Sequence, residues 1–184
     1  MALIALGSNE TMLETGPEAT ISSAIDEIGR KLGKIDATSW LYRTPCFPAG
    51  SGPDFVNAAV AVTTEMSARQ VLTLLHQIEA DFGRVRRKRW GQRVLDLDLL
   101  ALGDQVLPDH AKYQQWRDLD LATQMEQAPD ELILPHPRIQ DRSFVLRPLA
   151  DVAPEWRHPV LGQSVVQMLA ARPAEEQDEI VQIG

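Results

Sequence analysis

Residues 93–100 read RVLDLDLL, and the alternation in this stretch decides the fold of the region around it. Leu95, Leu97 and Leu99 alternate with Asp96 and Asp98. A period of two is typical of a half-buried strand, so both aspartates lie on one face, roughly 7 Å apart along the strand. Strands disfavour Asp, and like charges so placed repel. The pair therefore indicates either a solvated strand face or a bound cation.

Working outward, this strand is the last of six predicted elements. Apolar runs predict strands at 2–6, 35–42 and 54–63, and helical periodicity predicts helices at 18–33 and 67–82. The order β-α-β-β-α-β is the ferredoxin-like pattern. We therefore predict an α+β fold with an antiparallel sheet, helices on one face of that sheet, and a C-terminal extension.

Two parts of the chain lie outside that pattern. Residues 104–131 are polar and acidic, and they are interpreted as an insertion with a short helix around 111–127. The C-terminal extension contains a predicted helix at 163–171. With 184 residues, the chain is expected to form one domain, 1–184.

Composition excludes several classes of protein. The hydrophobic fraction of 44% indicates a globular chain, and no apolar run approaches the ~20 residues of a membrane span. The N-terminus has no basic leader before its short apolar run, and Cys46 is the single cysteine. These features favour a cytoplasmic protein without a membrane partner. The net charge of −8 also disfavours general nucleic-acid binding.

A basic segment precedes the aspartate strand in this acidic chain. Residues 84–93 contain five arginines and one lysine but no acid. Such a run is often only a solvated surface. Arginine, however, can hold two phosphate oxygens at once, and Mg²⁺ is commonly bound by one or two carboxylates plus substrate phosphates. The segment and the strand together predict a magnesium-phosphate site. No P-loop motif G-x-x-x-x-G-K-[ST] is present.

A second candidate site lies on the strand at 54–63. Phe55 and Asn57 share one strand face. A strand Phe is most often a core residue, but a buried amide needs hydrogen-bond partners. The two side chains suit a flat heteroaromatic ring, stacked on Phe and read at its edge by Asn.

The histidines give weaker signals. His136 lies between two prolines, and either a loop role or a binding role fits it. His76, His110 and His158 are interpreted as structural or surface residues. No His or Cys spacing indicates zinc.

Five stretches together are similar to one enzyme family. They are ALGSN at 5–9, YRTP at 42–45, PDFVNAAV at 53–60, GRVRRKRWGQRVLDLDLL at 83–100 and LPHPRIQDRSFVLRPL at 134–149. The chain resembles the 6-hydroxymethyl-7,8-dihydropterin pyrophosphokinases up to about residue 170. The resemblance implies magnesium-dependent transfer of pyrophosphate from ATP to the pterin hydroxymethyl group, with release of AMP, in folate biosynthesis.

The resemblance also implies a role for each matching residue. Asp96 and Asp98 match the aspartates that bind magnesium, with two ions expected, and Arg84 and Arg93 match arginines that assist the transfer. The implied pterin-binding residues are Thr44, Pro45, Phe47, Phe55, Asn57 and Phe144. The implied ATP-side residues are Glu79, Arg86, Trp90, His136 and Arg142. A monomer is implied.

Three features depart from the family pattern. Phe55 stands where a tyrosine is frequent, which removes a hydroxyl but keeps a stacking ring. The insertion at 104–131 is about 20 residues longer than in compact members. The alignment of Arg87 and Lys88 varies with loop length.

Two rival functions use the same residues. One is another magnesium-dependent phosphotransferase, which would release ADP from ATP. The other is a ferredoxin-like nucleic-acid module, in which the basic segment would bind phosphates and strand aromatics would stack on bases. The acidic balance and the two aspartates argue against the second.

Overall fold

The computed structural model describes residues 1–9, 16–46, 52–83, 94–120, 123 and 127–183. Its strands are β1 (Ala2–Ser8), β2 (Lys34–Thr38), β3 (Leu41–Thr44), β4 (Phe55–Thr63), β5 (Asp96–Leu102) and β6 (Val181–Ile183). Its helices are α1 (Pro17–Leu32), α2 (Ala68–Asp81), α3 (His110–Arg117), α4 (Ser143–Val152), α5 (Val165–Ala170) and α6 (Ala174–Asp178). A 3-10 turn, Ile139–Asp141, precedes α4. The predicted α+β class and element order are confirmed.

The sheet is antiparallel, with the described strands in the order β5-β1-β4-β3-β6 and β2 also paired with β4. The central strands β1 and β4 pair from Ala2 opposite Val62 to Ser8 opposite Val56. On the other side of β1, Ala5 faces Asp98 and Gly7 faces Asp96. This register places residues of three strands in continuous rows across the sheet.

One face of the sheet is closed by α1 and α2. Alternate strand residues such as Ile4, Val60 and Leu97 pack against Ile28 of α1 and Leu75 of α2 in one large aliphatic cluster. Helix α2 begins with the predicted capping box: Gln70 N–H donates to Ser67 Oγ, and Ser67 N–H donates to Gln70 Oε1. This face supplies most of the apolar burial and positions β5.

The opposite face is covered only in part. The C-terminal extension lies there: α4 and α5 bury Leu146, Leu149 and Met168 against Leu3 and Leu100. The extension therefore adds helices to the second face, in addition to the pair predicted on the first. Within the described residues, the aliphatic cluster under α4 and α5 does not include Asp96, Gly7 or Asn57.

The prediction of one continuous strand at 35–42 was wrong, because the strand breaks at Ser39 and Trp40. Ser39 N–H donates to Ala59 O (3.0 Å), and Ser39 Oγ accepts from Ala59 N–H (2.9 Å). A side-chain oxygen thus occupies a ladder position, and the register shifts between Thr38↔Val60 and Tyr42↔Asn57.

The insertion holds a helix shorter than predicted, α3, which docks on the C-terminal extension. Tyr113 of α3 is fully buried, and its hydroxyl lies 2.8 Å from Nε2 of buried His158. Trp156 packs near the same imidazole and donates from Nε1 to Gly103 O (3.0 Å). His158 is therefore structural, as predicted. No helix in the described ranges is long and apolar enough to cross a membrane.

Candidate active site

The candidate site is a polar row on the partly covered face of the sheet. Asp96 on β5 is paired with Gly7 on β1, and Gly7 is paired with Asn57 on β4. Paired residues share a face, so these groups lie side by side across three strands. Two strand spacings separate Asp96 from Asn57, which is roughly 10 Å. Gly7 lies between them and has no side chain, so no side chain separates Asp96 from Asn57 along this row.

The two aspartates are half-buried, as their alternation predicts. The backbone between them is fixed from the other side of the strand. Leu97 N–H donates to Oε1 of Glu79, a residue of α2 with only 2% exposure (2.8 Å). A buried carboxylate thus satisfies an outward-facing amide of the edge strand, which fixes the positions of Asp96 and Asp98.

Arg142 links the carboxylates to an aromatic side chain. Its Nη1 lies 3.6 Å from Asp98 Oδ2, and its guanidinium carbon lies 5.9 Å from the centroid of the Phe144 ring. Arg142 precedes α4, and Phe144 is in the first turn of that helix with 41% of its surface exposed. The start of α4 therefore brings a cation and a ring to the edge of the polar row.

His136 contributes an uncharged hydrogen-bond donor. Its backbone N–H donates to Leu100 O of β5 (2.8 Å), which holds it beside the strand. Burial, and then the charges of Arg142 and Arg138, lower the pKa of His136 to about 3, while Asp96 acts in the opposite direction. Its Nδ1 accepts from Arg138 N–H (3.1 Å), so this hydrogen-bond pattern assigns the imidazole proton to Nε2.

The part of the row that is predicted to bind a flat ring centres on Asn57, and we call it the ring-binding half. Its Nδ2 donates to Thr44 Oγ1 (2.8 Å), so the orientation of the amide is fixed. A Cβ placed on Gly7 would lie 3.3 Å from Asn57 Oδ1 and 3.9 Å from Phe55 Cδ1. Glycine at position 7 therefore keeps a Cβ away from the Asn57 carbonyl oxygen and the Phe55 ring.

The structure thus brings most of the predicted residues to one side of the sheet. Asp96, Asp98, Asn57, Phe55 and Thr44 lie on or along the row, with the exposed Pro45 next to Thr44; His136, Arg142 and Phe144 approach from the α4 side. Glu79 reaches β5 from α2, and its role toward ATP stays a prediction. Five predicted residues lie outside the described residues: Phe47, Arg84, Arg86, Trp90 and Arg93.

Sequence reasoning missed a contact behind the ring-binding half. Tyr42, cross-strand partner of Asn57, is 1% exposed, and its hydroxyl donates to Asp151 Oδ2 at the end of α4 (2.7 Å). Arg147 of the same helix lies over the Tyr42 ring at 5.3 Å. Nothing in the sequence paired Tyr42 with Asp151.

The carboxylate pair fits magnesium by its chemistry. Two oxygen donors on one face match an ion that keeps further positions for phosphates and water. In the described part of the chain, no group of three or more His, Cys, Asp and Glu residues can hold a metal. Ligands beyond the two carboxylates therefore have to come from a substrate, from water or from residues outside that part.

Sequence comparison shows the family directly. Residues 3–154 match the family model described as 7,8-dihydro-6-hydroxymethylpterin-pyrophosphokinase. A 2-amino-4-hydroxy-6-hydroxymethyldihydropteridine pyrophosphokinase of Pseudomonas aeruginosa is 38% identical over 173 residues, covering 94% of this chain and 91% of the relative. The protein of the same name from Synechocystis sp. is 35% identical over 170 residues, covering 91% and 74%.

The solved structures that match share the fold at low sequence identity. The Plasmodium falciparum HPPK-DHPS with pterin and p-hydroxybenzoate gives a TM-score of 0.71 at 16% identity, over 98% of this chain and 46% of that one. The wild-type structure gives a TM-score of 0.61 at 17% identity, over 92% and 44%. The chain thus spans less than half the length of these neighbours.

The fold and the family match define an α+β pyrophosphokinase, with a carboxylate pair and the residues predicted to bind a ring on one sheet face. The chain belongs to the 7,8-dihydro-6-hydroxymethylpterin-pyrophosphokinase family.

Proposed function

We propose that this protein transfers pyrophosphate from ATP to 6-hydroxymethyl-7,8-dihydropterin, giving AMP and the pterin diphosphate in folate biosynthesis. Family membership supports the reaction. The observation that carries it to this chain is the polar row, in which Asp96 and Asn57 are two strands apart on the same sheet face. A separation of roughly 10 Å suits a flat bicyclic ring whose hydroxymethyl arm points toward metal-bound phosphates.

The pterin half of the site is formed by aromatic and amide groups. Phe55 and Phe144 stack on the two faces of the ring, and Asn57 reads its edge. Because Thr44 holds the Asn57 amide nitrogen, the carbonyl oxygen remains to accept from the N–H groups of an aminopyrimidine edge. Pro45, which follows β3, and Phe47, which lies outside the described residues, are proposed to bind the pterin as well.

The ATP half of the site combines carboxylates and cations. Asp96 and Asp98 hold Mg²⁺, with two ions expected, and bound magnesium would neutralise phosphate charge at the reacting centre. Arg84 and Arg93 stabilise charge on the transferred group and on the departing AMP. Glu79, Arg86, Trp90, His136 and Arg142 lie on the ATP side.

In the transfer, the hydroxymethyl oxygen attacks the β-phosphorus of ATP. The bond from that phosphorus to the oxygen bridging the α-phosphate breaks, AMP keeps that oxygen, and the hydroxyl proton is released. Little covalent chemistry is left to the protein, so positioning and charge stabilisation dominate. His136 donates from Nε2 as a neutral group, and Arg142 lies between Asp98 and Phe144, where phosphates and pterin meet.

The insertion is proposed as a buttress beside the ATP half. An isolated bridge between Leu107 and Leu134 ties its two ends together just before His136. Buried Tyr113 anchors α3 to the C-terminal extension. Deleting 109–130 and closing the gap should raise the KM for ATP; unchanged ATP affinity and turnover would reject this role.

We propose that residues 1–184 form a single domain and that the protein is a monomer. It would act on small molecules in the cytoplasm, without nucleic-acid or membrane partners. Size-exclusion chromatography with light scattering tests the monomer, for which a mass near 20.5 kDa is expected. An RNA shift assay without magnesium tests the nucleic-acid rival, and salt-dependent binding there would favour it.

Phosphorus NMR of the protein with Mg²⁺, ATP and 6-hydroxymethyl-7,8-dihydropterin tests the reaction. AMP and a new pterin diphosphate are expected, which fixes attack at the β-phosphorus. If ADP appears instead of AMP, the magnesium and arginine roles stand, but the reaction is a simple phosphoryl transfer. No turnover despite ATP binding would point to a different acceptor.

A further inference from the structure

The segment after the family match makes a partly buried contact with the start of α4. The family model ends at residue 154, whereas Glu176 belongs to α6 near the C-terminus. Ser143, the first residue of α4, is 4% exposed, and its hydroxyl donates to Glu176 Oε2 at 2.6 Å. A short bond to a carboxylate is the stronger class of hydrogen bond, so this contact holds two distant segments together.

Glu176 is itself oriented by a second partner. Arg172 Nη2 lies 2.8 Å from Glu176 Oε1 and 3.0 Å from Oε2, while Nε lies 3.3 Å from Oε2. The hydrogen bond from Ser143, and then Arg172, hold the pKa of Glu176 below its usual value against the effect of burial. The carboxylate that receives the Ser143 hydroxyl is therefore charged and fixed in orientation.

Ser143 lies between two residues of the site. Arg142 precedes it and approaches Asp98, and Phe144 follows it with an exposed ring. The N-cap residue of α4 is Arg142, which makes no side-chain capping hydrogen bond. The Ser143–Glu176 contact therefore anchors the first turn by a side chain, and it limits rotation of that turn about the helix axis.

The far end of α4 is anchored to the opposite wall of the site. Asp151 accepts from the Tyr42 hydroxyl at 2.7 Å, and Tyr42 pairs with Asn57 across β3 and β4. One rigid helix thus connects the Asn57 wall to the Phe144 ring, and Glu176 restrains the end that carries the ring.

We propose that Glu176 is a positioning residue for the pterin, acting through Ser143 to hold the Phe144 ring at the edge of the row. The inference rests on the proposed pterin role of Phe144. The inference assigns a function to the C-terminal segment 172–178, which lies outside the family match. This segment would set the separation between the Phe55 and Phe144 rings before the substrate enters.

Steady-state kinetics of Ser143→Ala, Glu176→Gln and the double variant test the proposal. Each single variant should raise the KM for the pterin 3- to 10-fold, with the KM for ATP within 2-fold of wild type. The double variant should match the singles, because both remove one hydrogen bond. Glu175→Gln, an exposed neighbour on α6, is the matched control and should leave both KM values unchanged.

Phe144→Ala separates the proposed pterin role of Phe144 from the proposed positioning role of Glu176. If it raises the KM for the pterin while Ser143→Ala and Glu176→Gln do not, the pterin site stands and the positioning role is overturned. If Phe144→Ala itself leaves that KM unchanged, the pterin assignment fails. Equal rises in both KM values, or additive losses in the double variant, would show a general structural role and overturn the inference. Ser143→Ala decides the matter if Glu176→Gln does not fold, because it removes only a hydroxyl.

Discussion

The two faces of the sheet differ in what their rows contain. On the face under α1 and α2, successive positions of β1 and β4 are large and aliphatic, such as Ile4, Leu6, Val60 and Val62. On the other face, the same two strands carry Ala5, Gly7, Asn57 and Ala59. The small side chains of the second face let the C-terminal extension pack on Ala5 and Ala59, and Gly7 places no side chain between Asp96 and Asn57.

On the same strands, one set of side chains therefore stabilises the fold, and the other set contributes to the candidate site. The large residues remove apolar area from water. On the second face, Gly7 adds no side chain between Asp96 and Asn57. Polar groups on the second face are held by buried contacts with α2 and with the C-terminal extension. Changes on the first face should therefore alter folding, and changes in the row should alter turnover.

The largest expected effect is from Asp98→Ala in the row. Turnover should fall about 10²–10³-fold or more, because both magnesium binding and the contact with Arg142 are lost. The midpoint of thermal unfolding should stay the same or rise, since a repulsion between Asp98 and Asp96 is removed. Asp104→Ala, an exposed change just after β5, is the matched control. Near-normal activity of Asp98→Ala would reject the metal role.

Leu75→Ala tests the opposite face. Leu75 is fully buried between α2 and the sheet, so truncation should cost about 2–5 kcal/mol in the free energy of unfolding, measured in urea. The KM values of the folded fraction should match wild type. The exposed Gln77→Ala on the same helix should change neither quantity. A selective rise in the KM for the pterin would mean that the two faces are coupled.

Acid should lower the free energy of unfolding of the protein, because His136 and His158, both on the side of the second face, have lowered pKa values. Burial, opposed by a backbone hydrogen bond and aided by Arg117, lowers the pKa of His158 to about 4, against about 6.5 in the unfolded chain. Between these values the unfolded chain binds more protons, so stability falls as the pH drops below about 6.5. For His158 alone the loss by pH 5 is about 2 kcal/mol.

Urea unfolding at pH 7.5 and pH 5 measures this dependence. His158→Gln should be less stable than wild type at pH 7.5 but should lose less stability on acidification, because one titrating group is removed. His110→Gln, an exposed change on α3, should keep the wild-type difference between the two pH values. An unchanged difference in His158→Gln would show that the pKa of His158 does not differ between the folded and unfolded chain.

The sequence predicted the parts of the fold that follow local rules. Alternation placed Asp96 and Asp98 on one strand face, and the capping box placed the start of α2; both are confirmed. The break at Ser39 was missed because a side chain replaces a backbone group in the ladder. The contacts Glu79–Leu97, Tyr42–Asp151 and Ser143–Glu176 were missed because each joins segments whose proximity depends on tertiary packing rather than local pattern.

The smallest expected effect, and the sharpest comparison of the faces, comes from two glycine substitutions. In Gly7→Ala, the new Cβ would lie 3.3 Å from Asn57 Oδ1, which crowds an amide already held by Thr44. The KM for the pterin should rise about 3- to 10-fold, equivalent to about 1 kcal/mol, with the KM for ATP unchanged.

Gly29→Ala on α1 is the matched control, since its Cβ would lie 3.2 Å from Ile35 Cδ1, the end of a flexible side chain. Alanine favours a helix over glycine by about 1 kcal/mol, which offsets the crowding, and neither KM should change. If both substitutions raised the KM for the pterin equally, the small residues of the row would not be specific to the site. If only Gly7→Ala did so, the absence of a side chain between Asp96 and Asn57 would be a requirement of pterin binding.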